Sequence, residues 1–568
     1  MTTYTTEQLE ALLTVDGSTL PERLDHWAAT TPQAVCLYDG ETDREFTYAE
    51  LGAVTDRLAG NLARSGIDPG DRISVFTTNS LFATLMMFAC WKAGAVYAPV
   101  NFSYRGRLLS YQLNDTAPRL LFTDADLVTR IPEIAGDLSE AQDLRVVVYE
   151  SDAEAAVGGL PTVPWSSLTA DAERPAVEVG PADPANIVYT SGTTGPAKGV
   201  LQPHLWINQY TYGLRSCIGP DDVVYNDLPM YHVGGAFANV GRAIWVGGEA
   251  AIWNRFSPSE FWDRIERRGA TAAILLDVMI PWLMKAPESE SDRANTLSKV
   301  HMQPLPLHHT AVAKRFGIDM VSAGFGQTES GAPLKVMMRE TDEGEGTPPE
   351  LRKGLMGAEL IEACESRGMH VVDGSTITEK GAMGTPSWFV EVAIFDENDE
   401  ECPRGVAGEL VVRPLIDNIM MTEYIGKSEA TERAWRGGWF HTGDSALQNP
   451  DGTFRFVDRL GDRIRVRGEN LSSFQVEDLL NGHPDVQMTA VFAVPSADGD
   501  EDDIVAYVVL VDGSSVTEQD LRTFATEEMP KFMRPMHYRI VEDIPRTPTN
   551  KIEKYKLRQS FSPQTSAS

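Results

Sequence analysis

Short runs rich in Val and Ile alternate with stretches of helical periodicity over most of this chain, and no other feature constrains the fold as much. Strands separated by helices in sequence are satisfied by parallel sheets whose faces the helices cover. The expected fold class is therefore α/β. The run from Leu81 to Val100 is apolar enough to raise the question of a membrane span. Lys92, Gly94 and Pro99 interrupt it, so it reads as a buried helix running into a strand.

A chain of 568 residues is longer than one hydrophobic core usually serves, so two or more domains are expected. The character of the sequence changes near residue 460. Phe454-Arg455-Phe456-Val457 reads as a strand, and Asp458-Arg459-Leu460-Gly461-Asp462-Arg463 reads as a polar joint. Beyond it, Ser473 to Leu480 has a helix pattern and Asp503 to Val511 a strand pattern. Thr517 opens a further helix, with Asp520 placed three residues on for a capping box and Pro530 closing it. The expected domains are residues 1–460 and 461–568.

With 49 basic against 82 acidic side chains the formal charge is −33, which argues against a nucleic-acid-binding role, since phosphate backbones are held by clustered Lys and Arg. Cys36, Cys90, Cys217, Cys364 and Cys402 are scattered and show no C-x-x-C spacing, so neither a disulfide framework nor a zinc site is indicated. The N-terminus lacks the charged and apolar regions of a secretory signal, and a cytoplasmic location is expected.

Ile187-Val188-Tyr189 is a short β-type run feeding Thr190-Ser191-Gly192-Thr193-Thr194-Gly195-Pro196-Ala197-Lys198-Gly199. Glycines let a backbone approach anionic oxygens closely, hydroxyls donate hydrogen bonds and a Lys adds charge, so phosphate is the ligand these parts suit. A flexible surface turn is the plainer reading of Gly and Ser alone. A nucleoside triphosphatase P-loop fails, because Lys198 follows Ala197 and precedes Gly199. No Gly-x-Gly-x-x-Gly fingerprint follows an early strand.

At this loop the sequence resembles the adenylate-forming superfamily of acyl-CoA ligases, peptide-synthetase adenylation domains and beetle luciferases, with Ala197 where Pro is usual. Further motifs of that family recur in order over roughly residues 20–560. The resemblance implies a large N-terminal domain of α/β sheets plus a distorted β-barrel, and a small mobile α+β C-terminal domain. It implies that Thr190, Ser191, Gly192, Thr193, Thr194, Gly195 and Lys198 hold the phosphates of ATP. Pro229-Met230-Tyr231-His232 is similar to the motif that places His232 beside the acid's carboxylate. Gly324-Phe325-Gly326-Gln327-Thr328-Glu329 is similar to the motif in which Phe325 stacks on adenine, Thr328 touches the α-phosphate and Glu329 holds Mg²⁺. Asp444, in Thr442-Gly443-Asp444, and Arg459 match the ribose contacts, and Lys551 matches the adenylation lysine, with Asn550 replacing the usual Gly.

The implied activity is an AMP-forming acid–thiol ligase using ATP, Mg²⁺ and coenzyme A, with Gly468 passing the pantetheine arm and Gly461 at the rotation joint. The stretch from Gly468 to Ser473 most resembles carnitine- and crotonobetaine-CoA ligases. Two other readings stay open: an adenylating enzyme that hands its acyl group to a carrier or partner protein, and a silent family member used as a binding module. Arg465 stands where some ligases carry a lysine that assists thioester formation. The acid is not legible; residues 233–239 and 322–324 are expected to line its site. Two departures stand out. His301-Met302-Gln303-Pro304-Leu305-Pro306 replaces a Gly-Gly-Ala-Pro-like turn, and residues 349–380, with a helix-like run over 351–365, look like an insertion that covers the acyl pocket, meets a second subunit or is merely tolerated on the surface. A homodimer is the default assembly.

Overall fold

The structure is a computed structural model that describes residues 4–561 apart from 142, 153–155, 191–196, 277–278, 343, 380, 460–462, 467–468, 497–501, 512, 546–551 and 553. The chain falls into two compact units: the larger runs to Asp458 without Ser103–Leu108 and Thr190–Lys198, and the smaller groups those two segments with Arg459–Ser568. The α/β class and the division into a large N-terminal and a small C-terminal domain follow the sequence reading.

The larger unit is built on two sheets. One has fifteen strands among the described residues. Its parallel portion sets Val35–Asp39, Glu249–Ile252, Val223–Asn226, Ala272–Leu276, Lys299–Gln303 and Met320–Gln327 side by side. Gly331–Arg339 then adds antiparallel to Met320–Gln327, and the antiparallel strands Ala382–Pro386, Phe454–Arg459, Trp439–Gln448, Gly408–Pro414 and Val390–Phe395 continue the path. The seven-stranded sheet is ordered Glu423–Tyr424, Lys198–Pro203, Pro184–Thr190, Val96–Pro99, Arg72–Phe76, Leu120–Thr123, Arg145–Val148.

The Leu81 to Val100 run is the expected helix and strand. Ser80–Lys92 is helical and buried along its whole length, capped by Asn79, whose Oδ1 accepts the Phe82 N–H at 2.8 Å. Each large apolar side chain so buried contributes about 1.5–3 kcal/mol. Lys92 is tolerated because its ammonium meets Asp56 at 2.7 Å and Asp25 at 3.2 Å. Among the described residues no helix is long and apolar enough to cross a membrane.

In the smaller unit Val486–Pro495, Asp502–Leu510 and His537–Ile540 form a sheet, with the hairpin of Arg463–Val466 and Glu469–Ser472 beside the helix Ser473–Leu480. Val476, Leu480, Val491, Ala506, Val508, Leu521 and Tyr538 make its core. The helix Glu518–Glu528 begins at Thr517 with the capping box expected from Asp520.

The segment 349–380 is part of the larger unit. Its helix is Gly357–Ser366 rather than 351–365, because Gly354 and Gly357 take positive φ (65° and 59°) and break the run. Val371–Asp373 then pairs in parallel with Gly331–Arg339. His301-Met302-Gln303, read as part of a replaced turn, finishes the strand Lys299–Gln303.

Candidate active site

The hairpin of Met320–Gln327 and Gly331–Arg339 carries Thr328, Glu329 and Ser330 at its turn. Two glycines make it possible. A Cβ at Gly324 would lie 2.3 Å from the Leu334 carbonyl oxygen, and Gly331 holds φ +69° with the Gln209 side-chain oxygen 2.0 Å from where its Cβ would stand. The register shifts between Phe325 and Gln327, a bulge that re-aims the residues at the end of the strand.

Behind this turn lies the strand that leaves the Gly- and Thr-rich loop. Gln202, on Lys198–Pro203, donates from Nε2 to the Thr328 carbonyl at 2.8 Å. The short strand Glu423–Tyr424 pairs antiparallel with Val200 and Leu201, and the Tyr424 hydroxyl donates to Glu329 Oε1 at 2.9 Å. The Met421 N–H adds a bond to the Glu329 carbonyl at 2.8 Å. On the entry side of the loop, Tyr189 accepts from the Thr116 hydroxyl and donates to Asp115 Oδ2, each at 2.9 Å, while Asp115 also pairs with Lys427. The loop's flanking strands are thus fixed at both ends.

Asp444 joins this set through Gln327, whose Nε2 donates to Asp444 Oδ2 at 2.5 Å and to the Thr442 carbonyl at 3.0 Å. Asp444 stands at a register shift between Trp439–Gln448 and Gly408–Pro414, where Gly443 takes φ +72°. Glu409 clamps the shift, accepting the Gly443 N–H at 3.0 Å and facing His441 Nδ1 at 2.9 Å. Asp444 and Glu329 are both buried, at 3% and 5% exposure. Phe325 is 8% exposed and packs with Leu334, Met383, Leu410, Ala446 and Phe454.

His232 is exposed and precedes a π-helix, Gly234–Gly241, a form that recurs at functional sites. Among the described residues no hydrogen bond or ring contact links it to the hairpin; its nearest ring is Tyr231, at 6.0 Å. On the segment before it, Asp227 accepts from the Tyr225 hydroxyl at 2.8 Å, and burial pushes its carboxyl up to about 6. Thr190 ends the strand Pro184–Thr190, Lys198 begins the next, and Arg459 ends Phe454–Arg459. Ser191, Gly192, Thr193, Thr194, Gly195, Gly461, Gly468 and Lys551 lie outside the described residues.

Gln202, Gln327, Glu409 and Tyr424 escaped the sequence reading. Gln327 was inside a motif already singled out, and its amide could have been suspected as a brace. Tyr424 gave no local signal, since its partner is 95 positions away.

The chain matches the AMP-binding enzyme family over residues 24–424 and the C-terminal domain of AMP-binding enzymes over residues 475–551. It belongs to the family of AMP-binding enzymes and is an AMP-forming acid–thiol ligase by class. It is 28% identical over 535 residues to the sulfoacetate–CoA ligase of Cupriavidus necator, covering 93% of this chain and 95% of that protein. It is 29% identical to the feruloyl-CoA synthase of an Amycolatopsis species (94% and 97% covered) and 27% identical to the crotonobetaine/carnitine–CoA ligase of Salmonella paratyphi B (91% and 93%). In fold it is similar to the o-succinylbenzoate CoA synthetase of Bacillus subtilis, with a TM-score of 0.74, 22% identity and 95% and 98% of the two chains covered.

Proposed function

We propose that this chain activates a carboxylic acid with ATP, forming an acyl-adenylate and releasing pyrophosphate, and then transfers the acyl group to the thiol of coenzyme A. The observation that carries the reading is the bracing of the phosphate-loop strand against the Thr328-Glu329 turn by Gln202 and Tyr424, with Asp444 tied in through Gln327. These contacts hold the strand that leaves the Gly- and Thr-rich loop, the buried Glu329 and the buried Asp444 in one frame, which supports the reading.

In the first step the carboxylate oxygen of the acid attacks the α-phosphorus of ATP, and the bond to pyrophosphate breaks. Catalysis of such a transfer consists of positioning and of neutralising charge that develops in the transition state. Thr328 and the hydroxyls of the loop donate to phosphate oxygens, Asp444 and Arg459 hold the ribose, Phe325 borders the adenine, and His232 borders the acid's carboxylate. Lys551 supplies the cation at the reacting oxygens. In the second step the thiol attacks the carbonyl carbon, AMP leaves, and Gly468 gives the pantetheine arm room once the small domain has turned about Gly461.

The donor chemistry fits Mg²⁺ at Glu329. No group of three or more His, Cys, Asp or Glu that could hold a metal is present among the described residues, and Mg²⁺ is commonly bound by one or two carboxylates completed by phosphate oxygens and water. When bound there, the ion would neutralise charge on the phosphates. Glu329 is oriented for this by the Tyr424 hydroxyl and by its buried backbone bond to Met421.

The relatives are named for different acids, so they support the reaction and leave the acid to experiment. A panel of carboxylic acids is assayed for pyrophosphate release with and without coenzyme A. Release with at least one acid, accompanied by its acyl-CoA, is expected. Pyrophosphate without any thioester would remove the second step and leave transfer to a carrier or partner protein; no pyrophosphate with any acid would remove the first step as well.

A further inference from the structure

The interior of the larger unit holds a second polar cluster that the adenylation residues do not use. Arg242 follows the π-helix at 3% exposure, Lys299 begins its strand, and Lys335 lies within Gly331–Arg339. Asp222 is already engaged: it pairs with Lys299 and accepts from the Thr271 hydroxyl at 2.6 Å and the N–H groups of Gly219 at 2.8 Å and Leu355 at 3.0 Å. The Nε of Arg242 has no hydrogen-bond partner among the described residues. Burial lowers the Arg242 guanidinium to about 10 and the Lys335 ammonium to about 8, and the charge of Cys217 opposes both shifts.

Two thiols sit in this field. Cys217, just past the helix His204–Arg215, and Cys364, on the helix Gly357–Ser366 of the 349–380 segment, are buried with their sulfurs 4.0 Å apart. The Ser216 hydroxyl lies 4.0 Å and 3.9 Å from the two sulfurs. The contact with Cys364 lowers the Cys217 thiol against its burial, with help from Arg242 and Lys299, and the same contact raises Cys364. Nearby cations favour the thiolate, which is the nucleophilic form of a cysteine. Beside Cys217 a cavity of about 10 Å³, bounded also by Arg242, Lys299, His301, Ser322 and Met337, has room for roughly one water-sized molecule.

The structure assigns Cys217 and Cys364 as a dithiol that closes to a disulfide under a peroxide, fastening the 349–380 segment to the rest of the larger unit. The Cys217 thiolate attacks one oxygen of hydrogen peroxide, the O–O bond breaks, and the departing hydroxide takes a proton to become water. Cys364 sulfur then attacks the sulfenic sulfur of Cys217, the S–O bond breaks, and a second water leaves with the Cys364 proton. The two thiols are oxidised by two electrons and the peroxide is reduced by two. The sulfurs must close by about 2 Å to reach a bond of about 2.05 Å. Lys335 and Met337 on Gly331–Arg339, the strand that also carries the 349–380 segment through Val371–Asp373, flank the site.

The test uses the whole protein treated with equimolar hydrogen peroxide, followed by alkylation and peptide mapping. The expected result is a linked peptide joining Cys217 to Cys364, with Cys36 and Cys90 alkylated. In C364S the linked peptide is lost and a dimedone adduct appears on Cys217; in C217S neither appears. The proposal is overturned if the wild-type protein yields no Cys217–Cys364 peptide, whether or not half-exposed Cys402 is oxidised, or if dimedone marks Cys364 in C217S. The wild-type map decides the matter even if a variant fails to fold.

Discussion

Two buried groups of charge in the larger unit are handled in opposite ways. Around the hairpin turn, Glu329 accepts from the Tyr424 hydroxyl and Asp444 from the Gln327 amide, neutral donors that orient a carboxylate. In the interior, Asp222 is spent on Lys299, a hydroxyl and two backbone N–H groups, and the remaining cations face thiols. The first arrangement fixes the direction in which an acid points. The second converts an acid into a fastener, since Lys299 also donates to the Leu355 carbonyl at 2.8 Å.

This contrast makes its strongest demand at Asp222. In D222A the ammonium of Lys299 is left buried without its partner, which costs about 3–5 kcal/mol. The urea midpoint should fall accordingly while kcat of the folded enzyme stays near the wild-type value; an unchanged midpoint would break the contrast. E329Q should do the reverse, lowering kcat for pyrophosphate release by about 10²–10³-fold, as loss of a charge-stabilising group does, with the midpoint held. A large loss of stability in E329Q would show that the turn carboxylate is a fastener too.

His301 sharpens the interior side. Burial and nearby Arg242 push its imidazole down to about 4, below the roughly 6.5 of an unfolded chain. The native state therefore binds fewer protons between those values, so the stability His301 contributes is full above about pH 6.5 and is lost as pH falls toward 4. That loss amounts to about 3 kcal/mol, and H301N should flatten the acid limb of a stability–pH curve by that amount. Y424F is the smallest effect: deleting one hydrogen bond to a charged group costs about 1.5 kcal/mol, roughly tenfold in kcat/KM for ATP. An equal loss in Y424F and E329Q would mean that the phenol itself touches substrate.

Much of the frame was legible. The Leu81 to Val100 run declared its helix by length and its burial by the lack of a polar face, and Thr517 with Asp520 declared a cap through a local rule. Motif residues such as Glu329 and Asp444 could be named because their spacing resembled a family. What held them could not. Tyr424 reaches Glu329 across 95 positions and Gln202 reaches Thr328 across 126, and side chains meeting over such separations leave no periodicity. Cys217 and Cys364 are 147 positions apart, so a rule about Cys spacing had nothing to read. The helix expected over 351–365 begins only at Gly357, because Gly354 and Gly357 take positive φ whatever the apolar pattern around them.

The bulge between Phe325 and Gln327 bears on how such a protein can diversify. Strand side chains alternate faces, so deleting one residue from Met320–Gln327 would turn Gln327 away from Asp444. Length changes in this arm are therefore disfavoured in evolution and in library design alike. Variation in this hairpin is confined to the identity of residues whose number is fixed.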